Sequence, residues 1–374
     1  MKFKKQDIGI LPLLLSLPFM FFPKVLEGDT QPWIFAAGLI AFFTFRTQNF
    51  FKRNDWTIII LSILCILVYA ARSADGYYVL RNTYTYLSFI IIWVVCGRSN
   101  GDYFPSAVKA TIVIWFIAGL FQYISIHMGY KIDEFPGRYL AGRMGPPSLT
   151  AEASYYGSIS MLQLMYLLTE RWRENRIFIA LATMSVFLSG SLLSMLLLIF
   201  PLMKLPLKLR VTISILLPLL VIGDYYFNGT GVVSRLAHIF SDGISLRGVF
   251  HDASLNLRAG NIFFTMYENI VQSILLISPV DFMNQYNNFA EKSGVFIGVG
   301  SNYILPAIGE MIYGSGVFAV LLLVTFLNKA QKSCTTNGAK IEKVIFIIAC
   351  MLNPISLSNI FLILYAKKKC INNL

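Results

Sequence analysis

Long apolar runs joined by short basic links fill most of this chain, and only 129–150 and 228–302 break the pattern with extended polar, arginine-bearing stretches. A membrane-crossing helix needs ~20 predominantly apolar residues, with a range of about 17–25. By that measure the pattern predicts spans at 8–22, 32–45, 56–71, 79–96, 106–127, 153–169, 177–189, 191–203, 211–227, 303–327 and 344–365. The expectation is an all-α polytopic integral membrane protein of about 11–12 transmembrane helices. It forms a single transmembrane domain over 1–374 with two larger loops. The seventh and eighth runs are short, and Ser189–Gly190–Ser191 reads as the turn between them. The last run is interrupted by Asn353–Pro354 and by Ser356, Ser358 and Asn359, which predicts a hairpin of two half-spans. Such a hairpin returns Lys367–Lys368–Lys369 to the side of the N-terminus.

Composition agrees with the pattern. Of 374 residues, 56% are hydrophobic and 13% charged, against about 25% charged in soluble domains; the mean hydropathy is +0.64. The net charge of +12 does not point to nucleic acid. The basic residues lie in short links between apolar runs, whereas a nucleic-acid binder gathers them on one face with interleaved aromatics. Arg46, Lys52, Arg53, Arg98, Lys109, Arg171, Arg173, Arg176, Lys204, Lys208, Arg210, Lys329, Lys332, Lys340 and Lys343 fall on one side of the spans, with the N-terminus. That side is expected to be cytoplasmic, so both long loops face outward. Met1–Phe22 has the basic and apolar parts of a signal peptide, but no small-residue cleavage site follows, and it reads as a first membrane helix. The five cysteines, Cys65, Cys96, Cys334, Cys350 and Cys370, show no ligand spacing. Neither a structural disulfide nor a metal site is expected. Walker A, GxGxxG, GxSxG and HExxH patterns are absent, so ATP, dinucleotide and serine-hydrolase chemistry have no support, and no cofactor is expected.

The polar stretches hold the candidate chemistry. The first carries Arg138 and Arg143 in a Gly/Pro-rich segment, 137–147, whose irregular backbone suits close approach to a ligand. Glu152 follows at the start of an apolar run. It is either a helix-capping carboxylate favoured by the helix dipole or a carboxylate with a function at the membrane edge. The second stretch carries Arg235, His238, Arg247, His251 and Arg258. Within it Leu255–Leu276 reads as a mostly apolar helix with Arg258, Asn261, Thr265, Glu268 and Gln272 on one narrow face. That helix either lies at the membrane surface or lines the roof of a cavity. Arginine suits a phosphate-bearing ligand because its planar fork pairs bidentately with phosphate oxygens. Near the tenth run, Gly298, Gly300, Gly309, Gly314 and Gly316 predict close helix packing. Asn302 and Glu310 are polar positions that packing alone does not explain. Arg81 lies near one end of its run, where its long stem can reach the interface.

Three groups of residues resemble the O-antigen polymerase (Wzy-type) family. Arg143–Met144–Gly145 followed by Ala151–Glu152–Ala153–Ser154–Tyr155–Tyr156–Gly157 is similar to the family's R-x-x-G … E-P-S-aromatic pattern, with Ala153 where Pro is usual. Ser189–Gly190–Ser191 before Leu192–Leu193 resembles its turn between two short spans. Gly300–Ser301–Asn302–Tyr303 with Glu310 and Gly314 resembles the entry to its late helix. The sibling O-antigen ligases usually have a histidine where this chain has Ser301, which favours the polymerase. The resemblance implies a GT-C-like scaffold in the bacterial inner membrane with a periplasmic active face. It implies a glycosyltransferase that moves an undecaprenyl-diphosphate-linked oligosaccharide onto a second lipid-linked repeat unit without a metal. Arg143 and Arg258, with Arg247 and Arg138, would hold the diphosphate. Glu152, then His251 or Glu310, would serve as base, with Asn302 and Tyr156 nearby. Membrane lipids and a chain-length-regulating protein are the implied partners. Ligase and lipid-linked oligosaccharide flippase are the alternative activities.

Overall fold

The computed structural model describes residues 33–44, 55–98, 104–128, 153–169, 172–207, 256–300, 306–352 and 355–369, with isolated positions at 10–12, 14–15, 146, 148–149, 210–211, 215 and 304. Every regular element among them is helical. In chain order these are α1 (Trp33–Thr44), α2 (Trp56–Arg72), α3 (Gly76–Arg98), α4 (Pro105–His127), α5 (Ala153–Leu168), α6 (Arg176–Leu188), α7 (Leu192–Leu197) and α8 (Ile199–Lys204). A composite helix, α9, comes next, made of π turns at Asn256–Gly260 and Phe264–Glu268 and α turns at Asn261–Phe263 and Ile270–Ile274. Then come α10 (Phe282–Ser293), α11 (Ala307–Gln331), α12 (Asn337–Met351) and α13 (Ile360–Lys367). Among the described residues, three segments, Gly76–Gly97, Pro105–Ile126 and Ala307–Gln331, are long and apolar enough to cross a membrane, and several shorter helices are also apolar.

Backbone contacts divide the chain into two compact units. The first takes its described residues from 1–46, 95–237 and 360–374; the second takes them from 47–94 and 238–359.

The first unit is built around α5. Every residue from Tyr155 to Leu168 is buried, because α4, α6, α7, α8 and α13 all pack on it. Small residues let those neighbours approach. Gly157 lies against Ser189 and Ser194, and a Cβ there would fall 2.5 Å from the Ser189 hydroxyl. Gly190 makes the turn at φ 60, and the Ser191 hydroxyl caps α7 by accepting from the Ser194 N–H.

The second unit is built around α11, which packs against α2, α9 and α12. Gly314 sits against the Tyr69 ring, and Gly309 lies where a Cβ would come within 2.9 Å of Thr265 Oγ1. Gly300, in contrast, has open space beside it. An aromatic cluster fixes α9 and α10 onto α11. Phe282 stacks on Tyr286 at 5.3 Å and meets Tyr313 edge-on at 5.5 Å, while Phe264 meets Phe282 at 5.7 Å. Near Gly316 the α11 backbone breaks, with φ 56 and ψ −134. The Arg72 Nη1 group donates to the carbonyls of Tyr313 (2.7 Å) and Gly314 (3.0 Å) beside that break. Its Nε donates to the Ser278 carbonyl at 3.2 Å.

The final apolar run is interrupted as the sequence suggests: α12 ends at Met351 and α13 begins at Ile360. The two pieces pack on different helices, α12 on α11 and α13 on α5. One expectation needs correction, since Cys334 is disulfide-bonded. The cysteine positions show no paired spacing, so the sequence held no motif from which to read this bond.

Candidate functional site

In the second unit the buried polar side chains are organised by α9. The sequence pattern puts Arg258, Asn261, Thr265, Glu268 and Gln272 on one face, but the two π turns divide that set. A π turn closes with an i→i+5 bond, here from the Asn269 N–H to the Phe264 carbonyl at 2.7 Å. Each added residue rotates the rest of the helix by ~100°. The buried polar stripe is therefore Asn256, Asn261, Thr265, Asn269 and Ser273, all between 0 and 6% exposed, while Glu268 and Gln272 lie on the surface. Arg258 is half-buried on the first π turn. Asn261 is wholly buried, and neither its Oδ1 nor its Nδ2 has a hydrogen-bond partner among the described residues. Buried amides are nearly always satisfied, which makes this side chain a candidate ligand contact.

Two carboxamides fasten the segment that leads toward Asn302. The Asn256 side chain accepts from the Ile297 N–H at 2.9 Å and donates to the Ile297 carbonyl at 2.8 Å. Asn287 does the same to Val299, at 2.6 and 2.9 Å. Each amide thereby satisfies both backbone groups of one residue, as a neighbouring strand would. Gly260 leaves room for this junction by lying against the Tyr286 hydroxyl and the Phe296 ring.

Beside the same helix is an open cleft of about 510 Å³ lined by Phe264, Glu268, Asn269, Gln272, Gln285 and Phe289, with Asn288, Lys292 and Ser293 at the α10 end. Its amides are oriented. Gln285 Oε1 accepts from Asn269 Nδ2 at 3.0 Å and from the Tyr313 hydroxyl at 2.8 Å. That leaves Gln285 Nε2 as a donor and Asn269 Oδ1 as an adjacent acceptor. Gln272 Oε1 accepts from the Ser278 hydroxyl at 3.1 Å, which leaves its Nε2 to donate. A fixed donor beside a fixed acceptor matches neighbouring hydroxyl groups, since a hydroxyl both gives and accepts a hydrogen bond.

Glu310 stands in the first turn of α11. The Arg81 guanidinium and the Asn82 amide of α3 face its carboxylate, and the same three groups surround the Tyr69 hydroxyl. Arg81 thus has an acidic neighbour within the unit, a role the sequence did not suggest. Ionisable groups in helices of this kind are functional candidates by default. Among the described residues no three metal-ligating side chains converge.

In the first unit, Ser148, shortly before α5, is held by one amide. The Gln122 side chain accepts from the Ser148 N–H at 2.6 Å and donates to the Ser148 carbonyl at 2.8 Å. Ser148 takes a left-handed conformation, φ 53, and its hydroxyl donates to the Trp115 carbonyl at 2.8 Å. Tyr156 is fully buried, and its hydroxyl donates to the same carbonyl at 3.3 Å. Its ring lies against Gly119. Tyr156 therefore anchors the start of α5 to α4 through the Trp115 carbonyl.

Glu152, Arg138, Arg143, Arg247, His251 and Asn302 lie outside the described residues. Of the sequence candidates, Arg258 and Glu310 fall in the second unit and Tyr156 in the first. Sequence reasoning missed the clamps Gln122, Asn256 and Asn287, the oriented pair Asn269 and Gln285, and Arg72. The one signal available for the cleft was the amide-rich run Asn284–Gln285–Tyr286–Asn287–Asn288 inside an otherwise apolar chain. No family model, curated protein or solved structure matches this chain.

Proposed function

We propose that this chain is a multi-pass membrane glycosyltransferase of the O-antigen-polymerase kind, joining lipid-diphosphate-linked oligosaccharides at the outer face of the bacterial inner membrane. The observation that carries the reading is the division of labour along α9. Its first π turn bears Arg258, and its second half contributes Glu268, Asn269 and Gln272 to the amide-lined cleft. At 1.5 Å per residue the two regions are roughly 16 Å apart along the helix, a spacing suited to a diphosphate at one end and sugar hydroxyls further along.

In this reading the donor's diphosphate is held by Arg258 and Arg143, with Arg247 and Arg138 behind them. A hydroxyl of a second lipid-linked unit attacks the anomeric carbon. The new glycosidic C–O bond forms as the C–O bond to the diphosphate breaks, with inversion. Arginines stabilise the leaving charge where it develops, so no general acid or metal is required. The hydroxyl proton passes to a base. Glu152 is the first choice and His251 the second. Glu310 ranks third because Arg81 and Asn82 already face it. A chain-length-regulating protein is the expected partner.

The test is a lipopolysaccharide gel from a strain lacking the gene, complemented with variants at matched protein level. A core band carrying a single repeat unit means that flipping and ligation proceed while polymerisation is lost. Core with no repeat points to ligase or flippase and overturns the reading. Arg258→Ala is expected to shorten or abolish the polymer. Unchanged chain lengths in both Arg258→Ala and Arg143→Ala would remove the diphosphate assignment.

A further inference from the structure

The composite helix α9 is inside-out. Its buried side is polar apart from Gly260 and Phe264, while Phe263, Tyr267, Val271 and Leu275, at four-residue intervals, are 43, 71, 62 and 63% exposed. Ile277, just beyond, is 66% exposed. A helix of a water-soluble loop turns its apolar side inward, because burying a Val, Leu or Phe side chain is worth about 1.5–3 kcal/mol. This one gives most of its protein-facing side to asparagines and hydroxyls and leaves its apolar side uncovered. A contiguous apolar strip of this kind marks an interaction surface.

Continuity identifies the occupant. Leu276 and the Ser273 carbonyl pack directly on Gly316 of α11. From there α11 presents Val317, Leu321 and Val324, 37, 47 and 48% exposed, on a helix long and apolar enough to cross a membrane. Leu276 lies between exposed Leu275 and Ile277, and Gly316 lies next to exposed Val317, so the two exposed strips approach each other at this contact. Acyl chains that met the exposed strip of a membrane-crossing α11 would meet that of α9 as well. Glu268 and Gln272 flank the strip on the exposed side, where a headgroup layer would solvate them.

We infer that α9, although it belongs to a polar segment between apolar runs, lies in the lipid leaflet. Phe263, Tyr267, Val271 and Leu275 sit among the acyl chains, and the Asn256–Ser273 stripe is sealed against the protein. The inference rests on α11 crossing the membrane and not on any catalytic activity. It places the cleft at the level of the lipid headgroups, where a lipid-anchored ligand can enter sideways.

Spin labels at Tyr267→Cys, Val271→Cys and Leu275→Cys, and at Glu268→Cys as the flank, test it in the full-length protein reconstituted into bilayers. Protein without an introduced cysteine, labelled in parallel, is the blank for the five native cysteines. Collisions with dissolved oxygen are expected to exceed collisions with a water-soluble nickel chelate at 267, 271 and 275, and the order to reverse at 268. Nickel-dominated collisions at 267 and 271 would place the strip in water. Protection from both quenchers would mean that another protein surface covers it. Either result overturns the inference, and neither bears on whether the protein polymerises sugars.

Discussion

At the scale of single residues, Gly316 is the most constrained position. Its φ 56, ψ −134 is a conformation that side chains avoid, and Leu276, itself at φ 60, packs into the space a Cβ would need. Gly316→Ala should cost about 1–3 kcal/mol from backbone strain alone. The check is a lower Tm in detergent, with Gly300→Ala as the control because nothing lies near that glycine. Tyr286 offers a pH test. Burial pushes its hydroxyl from 10.0 up to about 12, partly offset by the Asn256 side chain. Between those values the unfolded chain has released the proton and the folded one has kept it. The stabilisation is therefore complete below pH 10 and disappears as pH rises through about 12. Tyr286→Phe should flatten the alkaline fall in stability over that window, measured as the difference between the two proteins.

At the scale of elements, side-chain amides and one guanidinium do what regular hydrogen bonding does elsewhere. Arg72 supplies donors to carbonyls near the α11 break and to the Ser278 loop. Stranding such a group costs about 1–3 kcal/mol. Arg72→Ala should lower Tm more than Arg72→Lys, and Lys should recover only part because an ammonium cannot span three carbonyls. Asn256 and Asn287 hold 297–299 by two bonds each. Asn287→Ala should expose that segment to limited proteolysis while the remainder stays resistant. These roles were not legible in the sequence. A carboxamide looks the same whether it clamps a loop or faces water, and Gln122 and Ser148 are paired across 26 positions. Some apolar helices were legible almost to the residue, as α2 from Trp56 and α6 to Leu188 show, but α11 runs four residues later than its hydrophobic run and α12 starts at Asn337, seven residues before the run expected from 344. The α9 stripe reads as one face in the sequence, but Asn261 and Thr265 are buried while Glu268 and Gln272 are exposed, because a 3.6-residue period cannot anticipate π turns.

At the scale of the whole molecule, the sidedness of α11 is the most direct test of the membrane reading. With a membrane-impermeant maleimide on intact cells, Lys292→Cys should label and Lys332→Cys should not until the cells are opened. Labelling at both, or the reverse order, would invert the charge-based orientation. The sequence alone determined that the chain is helical and built from apolar runs; among the described residues, three helices are long and apolar enough to cross a membrane. It did so because hydrophobic content and length are local properties that survive any arrangement of the helices. It also determined that Arg258 and Glu310 are polar exceptions. Tertiary structure alone decided that Arg81 and Asn82 meet Glu310, that α12 and α13 pack on different helices, and that the polar side of α9 faces the protein. Each of these depends on which distant surface covers a residue. No pattern of neighbouring residues encodes that.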